Sequence, residues 1–153
     1  MKHVRVRLER LDEAFHFRAT NAHGHTVDMD DASSSEDGRG KGVGPMELLV
    51  MAAGGCSGID VVSILQKGRQ RIDTFAIEVE GAKPTGVSPS LYQHIHLHYI
   101  LTGDLDPARV RRAVALSLRK YCSVSKTLEK TARITASCTV NGERFDAWPE
   151  EDG

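Results

Sequence analysis

The sequence carries no strong charge of either sign. Twenty Lys and Arg residues stand against 21 Asp and Glu, a formal net charge of −1 with both signs interspersed. A nucleic acid or an acidic membrane calls for a concentrated basic surface, so neither is expected as a partner. Cysteine is scarce. Three residues do not make the disulfide framework of a small secreted domain, and reactive or buried thiols in a cytoplasmic chain are expected instead. The N-terminal MKHVRVRLER is charged and strand-like, unlike a signal peptide. No internal repeat is present. The glycines of Gly54-Gly55-Cys56-Ser57-Gly58 are followed by no Gly-Lys-Ser/Thr ending, which excludes a phosphate loop. The strictly apolar part of the longest apolar run falls short of the roughly 20 residues a bilayer needs, and Glu47 and Asp60 would be charged in lipid. What is present is an ordinary globular composition, 40% hydrophobic and 27% charged, at a length that suits one domain with its own core.

The stretch from Gly44 to Gln70 predicts one long central helix with Cys56 near its middle. Pro45 presets the first helical turn, and Lys67, Arg69 and Arg71 complement the dipole at the far end. Met46 to Leu65 is apolar or small almost all round, the pattern of a buried helix. Burial against a second copy of the chain is the natural solution. Before it, Val4–Leu8, Phe15–Ala19 and Thr26–Asp30 alternate with a period of two and read as three strands. A flexible Ser/Gly/Asp-rich loop at about 31–44 then leads into the helix. After it, Thr74–Glu80 and Leu91–Leu101 read as strands, and Asp106-Pro107 opens a second helix whose buried stripe runs from Val110 to Tyr121. A short third helix to about Lys130, a strand ending at Val140 and a frayed tail at about 147–153 complete the chain. Strands grouped in blocks predict an α+β fold with mostly antiparallel sheets around the central helix, in a single domain over 1–153.

GPMELLVMAAGGCSGIDVVSIL, with a cysteine inside a glycine-containing helix, and the later KYCSVSKTLEK together resemble the OsmC/Ohr superfamily. The intervening YQHIHLHYILTGDLDPARVRRAV resembles that family's strand-to-helix connection. The likeness covers all but the terminal WPEEDG and is greater to an OsmC-like branch than to the well-defined hydroperoxide reductases. It implies an intertwined homodimer with thiol sites at the subunit interface. It further implies thiol-dependent reduction of organic hydroperoxides, with electrons returned by a dithiol reductant. No metal or other cofactor is expected.

The chemistry needs a thiolate nucleophile, a group that stabilises it, and a second thiol to capture the sulfenic acid as a disulfide. Cys56 is the candidate nucleophile and Cys122 the candidate resolving thiol, where amides at the head of the third helix are expected to favour its thiolate. The reductases of the family add an arginine and a glutamate. Arg39 in the loop feeding the helix is the candidate arginine, with Arg18 as a second choice. The position ten residues before Cys56 holds Met46 rather than the acid. Glu47 is the candidate in its place, about 100° further round the helix. Cys122 is followed by Ser123 where the family usually has proline. His94, His96 and His98 share one strand face and read as a polar surface rather than a metal site. Cys138 reads as a core residue. The alternative to a peroxidase is a non-catalytic dimer of the same fold that binds a small apolar ligand or serves in stress.

Overall fold

The computed structural model describes residues 1–150. The chain forms two compact units, Met1–Leu49 and a second from Val50 onward.

The first unit is an antiparallel meander of β1 (Val6–Arg10), β2 (Phe17–Asn21) and β3 (Thr26–Met29). Leu8 lies opposite Ala19, and Ala19 opposite Val27, so the alternation read from the sequence builds one apolar face. Short polar side chains make the turns: Asp12 accepts from the Ala14 and His16 amides, and Asn21 from those of His23 and His25. Arg18 donates two hydrogen bonds to Asp28 at 2.8 and 3.0 Å, and the His16 ring lies 2.9 Å from the same carboxylate. The Arg18 guanidinium, with help from His16, holds the Asp28 carboxyl down at about 2. Residues 31–44 are irregular, as expected, but they are tied down. Asp31 caps a 3₁₀ turn at Ala32–Ser34, and the buried Asp30 carboxylate accepts from the Asp31 and Lys41 amides. Val43 then bridges Met29 beside β3.

Helix α1 (Pro45–Lys67) starts where Pro45 and Glu47 dictate: the Glu47 carboxylate reaches back to the Gly44 amide at 2.9 Å, half of a capping box. Its 23 residues are long and apolar enough, by length and composition, to cross a bilayer. The strictly apolar run between Glu47 and Asp60 is shorter than that, so Asp60 would fall inside any such span. One face of α1, Ala53, Gly54, Ser57, Val61 and Leu65, is buried in protein. The opposite side is not, for Met51 and Ile59 are exposed, Ile59 by 73%. Within one chain the helix is thus buried along a single stripe rather than all round.

The second unit holds a four-stranded sheet in the order β4 (Arg71–Ala82), β5 (His94–Asp104), β6 (Arg133–Val140), β7 (Glu143–Trp148). β4 pairs with β5, and β6 with β7, antiparallel; β5 and β6 run parallel. A parallel pair needs a crossover. It is supplied by α2 (Pro107–Leu116), a π turn at Ser117–Tyr121 and α3 (Ser123–Leu128). Asp106 caps α2 by accepting from the Ala108 amide. The inner face of the sheet is solidly apolar: Ile95, Leu97, Tyr99 and Leu101 on β5, with Ile134, Ala136, Cys138 and Val140 on β6, are all buried. Gly54 and Gly58 let β4 approach α1, since a Cβ at either would stand 3.0 Å from Val79 Cγ2 or Ile77 Cδ1.

Three further expectations change. β7 was not anticipated, although Asn141-Gly142, with φ of 48° and 87°, is a strong hairpin turn signal. The frayed tail consequently starts too early, because Ala147 is buried in β7 and Trp148 ends that strand; residues 151–153 lie outside the described residues. Tyr121, assigned to the buried stripe of α2, is exposed. The π turn explains it: wider winding after Leu116 shifts the phase of every later side chain.

Candidate functional site

Two cysteines distant in sequence meet beside a carboxylate. Cys56 lies near the middle of α1, and Asp60 follows one turn later on the same side of the helix. Cys122 ends the π turn and stands at the head of α3. Cys56 Sγ, Cys122 Sγ and an Asp60 carboxylate oxygen all lie within 4.8 Å of one another. Asp60 also lines a cavity of about 390 Å³ together with Ser63, Ile64, Lys67, Leu116 and Tyr121. The sequence reading missed Asp60, for which the i, i+4 spacing from Cys56 was the available signal.

A buried polar chain supports the carboxylate. Ser117 Oγ donates to Asp60 Oδ2 at 2.9 Å, which commits its one proton. Ser117 must then accept from Ser57 Oγ, 2.8 Å away, and Ser57 from the Tyr99 hydroxyl at 2.5 Å. Burial raises the Tyr99 phenol above its ordinary range, so it remains a donor. The chain thus runs in one direction, from the sheet to the carboxylate.

Cys122 is itself the N-cap of α3: its sulfur accepts from the Ser125 amide at 3.4 Å and lies 3.2 Å from Ser125 Oγ. These contacts favour the thiolate, as the sequence suggested. Burial outweighs them, the neighbouring Cys56 adds to it, and the Cys122 thiol is pushed up rather than down. That corrects the expectation of a favoured thiolate. A six-residue helix contributes too little dipole to offset desolvation. Cys56 is half-buried, whereas Cys122 and Cys138 are buried. Cys138 sits on the inner face of β6, where burial drives its thiol to about 12.

The remaining candidates have local partners. Glu47 is occupied by the Gly44 amide at the start of α1. Arg39, exposed in the first unit, has its amide tied to Asp37. Arg18 is bound to Asp28. His94, His96 and His98 are more than a polar surface, for they interleave with β6 hydroxyls in a continuous ladder. His94 Nε2 and His96 Nδ1 each lie 2.7 Å from Thr135 Oγ1. His96 Nε2 and His98 Nδ1 flank Ser137 Oγ at 2.8 and 2.6 Å, and His98 Nε2 ends on Thr139 at 3.0 Å. Their ring nitrogens are directed at hydroxyls. Among the described residues, the one group of His, Cys, Asp and Glu side chains with converging ligand atoms is Cys56, Asp60 and Cys122.

Comparison with known proteins agrees with this fold. Residues 38–137 match the family model described as OsmC-like protein. Protein YhfA of Escherichia coli K12 is 47% identical over 129 residues, spanning 84% of this chain and 92% of its own. A crystal structure of a hypothetical protein from Aquifex aeolicus VF5 is similar with a TM-score of 0.80 at 31% identity, covering 92% of this chain and 98% of that one. An organic hydroperoxide resistance protein OsmC from Legionella pneumophila shares the fold alone, with a TM-score of 0.66 at 13% identity over 90% of this chain and 97% of that one. Matched over residues 38–137 by that family model and 47% identical to YhfA, the chain belongs to the OsmC-like protein family.

Proposed function

We propose that the protein is a homodimeric, cytoplasmic dithiol peroxidase of organic hydroperoxides. The observation that carries this reading is the closeness of Cys56 and Cys122, with their sulfurs within 4.8 Å. Cys56, the more accessible of the pair, is the nucleophile. Its thiolate attacks the distal oxygen of ROOH; the O–O bond breaks, ROH leaves after taking a proton, and Cys56 becomes a sulfenic acid. Cys122, held as a thiol by burial, then displaces water from that sulfenic acid and forms the 56–122 disulfide. A dithiol reductant returns two electrons and two protons. The Legionella protein's description as an organic hydroperoxide resistance protein supports the reaction class. Arg39 and Glu47 are proposed as auxiliary groups, and the two compact units as parts of one OsmC-like domain.

Stopped-flow mixing of the reduced protein with cumene hydroperoxide tests the reading. Wild type should consume peroxide and form the 56–122 disulfide. Cys56→Ser should lose even a single turnover, whereas Cys122→Ser should complete one and accumulate a sulfenic acid. Without a glutamate at position 46, turnover is expected to be about a hundred- to a thousandfold slower than in a fully equipped enzyme. Unchanged peroxide consumption by Cys56→Ser would overturn the mechanism. Glu47 being bound at its own helix start favours one second reading, a dimer that binds a small apolar ligand without turnover. Native mass spectrometry finding a co-purified ligand, with no peroxide consumption, would select it.

A further inference from the structure

The geometry points to a metal site in this cluster: Cys56, Asp60 and Cys122 together hold one thiophilic divalent cation, zinc by preference, when both cysteines are reduced. The site requires only the dithiol state, so it stands whether or not the protein turns over peroxide. Two thiolates and one carboxylate are a zinc-type donor set; magnesium and calcium favour all-oxygen shells. On tetrahedral zinc, sulfur ligands at about 2.3 Å and an oxygen at about 2.0–2.2 Å lie about 3.5–3.8 Å from one another. Here the three ligand atoms are already within 4.8 Å of one another, so a contraction of about 1 Å brings them to bonding geometry.

The surroundings are those of a supported metal ligand set. Cys56 and Asp60 project from successive turns of one rigid helix, and Cys122 meets them from the head of α3. Ser117 occupies Asp60 Oδ2 and orients the carboxylate, itself fixed through Ser57 and Tyr99. The Ser125 amide does the same for the Cys122 sulfur. Such outer contacts fix the direction in which ligands point. Asp60 also lines a cavity of about 390 Å³, and three protein ligands leave the fourth position of a tetrahedral ion open. The ion binds the thiolates, so it competes with protons for the two sulfurs. A 56–122 disulfide removes both thiolates. Oxidation by an organic hydroperoxide, in which the thiolates give two electrons and ROOH plus two protons leave as ROH and water, therefore ejects the metal. Occupancy and disulfide are mutually exclusive.

The full chain, reduced and metal-free, is titrated with zinc against a chromophoric chelator and, separately, with cobalt(II). The expected result is one zinc per chain and a sulfur-to-cobalt charge-transfer band that disappears on conversion to the disulfide. Cys56→Ser and Cys122→Ser should each weaken binding at least about tenfold, and Ser117→Ala, acting through Asp60, by about 10–100-fold. Asp60→Asn should also weaken it. The cobalt band reads thiolate ligation in the wild-type protein, so the result does not depend on any variant folding. Failure of the reduced wild type to hold zinc, or absence of the band, overturns the proposal. Equally damaging would be zinc binding retained in folded Cys56→Ser and Cys122→Ser but lost in His96→Ala, which would move the metal to the histidine ladder.

Discussion

At the scale of single residues, environment decides between side chains of the same type. Three cysteines share one chemistry, yet burial keeps Cys138 inert on β6 and lifts the Cys122 thiol despite its capping contacts. The cysteines that matter were legible from their sequence contexts, the glycine-containing helix and the Lys-Tyr-Cys-Ser segment. Asp60 was not, because a carboxylate one turn from a cysteine acquires meaning only when Cys122 arrives from another element. The histidine ladder was half legible: alternation placed the three rings on one face, but the hydroxyl partners come from β6, about forty residues away and paired in parallel. That ladder has a titration consequence. His96 is lowered from its ordinary value, first by burial, then by His94, His98 and Arg144, against which Asp146 acts. Glu78 and Glu80 pair with His98 and His96 across β4. A lowered folded value means that the unfolded chain takes up this proton first as the pH falls. Stability should therefore be full above the ordinary histidine pKa of about 6.5 and decline below it. Urea unfolding between about pH 8 and 5 should show the decline in wild type and a flatter dependence in His96→Gln. Equal slopes would assign the effect to another group.

At the scale of elements, local chemistry placed starts better than ends. Pro45 with Glu47 and Asp106 with Pro107 mark the first turns of α1 and α2 where the structure has them. The π turn has no such signature, and it displaced Tyr121 from the predicted buried stripe. β7 was overlooked because it is short and carries an extra residue, Ala147, where Asp146 and Trp148 face Ser137 and Ala136, leaving the Asn141-Gly142 turn as the one clear sign. The glycines of α1 offer a test of how close packing and propensity compete. Alanine in place of a helix-interior glycine gains roughly 1 kcal/mol. At Gly58 the neighbour at 3.0 Å is the end of Ile77, which can swing aside. At Gly54 it is Val79 Cγ2, on a stiff β-branched side chain with no such freedom. Gly58→Ala should leave stability unchanged or raise it by up to about 1 kcal/mol, and Gly54→Ala should lower it by about 1–3 kcal/mol. Chemical denaturation of the two variants reads this directly, and the opposite ranking would show that β4, not Ile77, yields.

At the scale of the whole molecule, the single chain leaves two apolar surfaces uncovered. One runs along α1 through Met51 and Ile59, the other lies on the β1–β3 meander at Val6, Leu8 and Val27. Large apolar patches on a soluble chain mark surfaces that another surface covers. The apolar character of α1 all round, which the sequence showed, is therefore left half-used by intramolecular packing. In the homodimer proposed above, a second copy of the chain would supply the rest, in a two-fold arrangement where each substitution at the interface counts twice. Ile59 is the most informative position, being 73% exposed and apolar. Covering such a side chain is worth about 1.5–3 kcal/mol per copy. Replacing it with a carboxylate loses that contribution from both copies and places two charges against apolar surface. Sedimentation at micromolar concentration should find wild type at twice the 16.8 kDa chain mass and Ile59→Glu shifted towards the single-chain mass. Ile59→Ser, uncharged, should weaken association less and serves as the control should the charged variant fail to fold. A wild-type chain that sediments as a stable folded monomer would remove the dimer, and with it the reason for α1 to be apolar on the side its own chain does not cover.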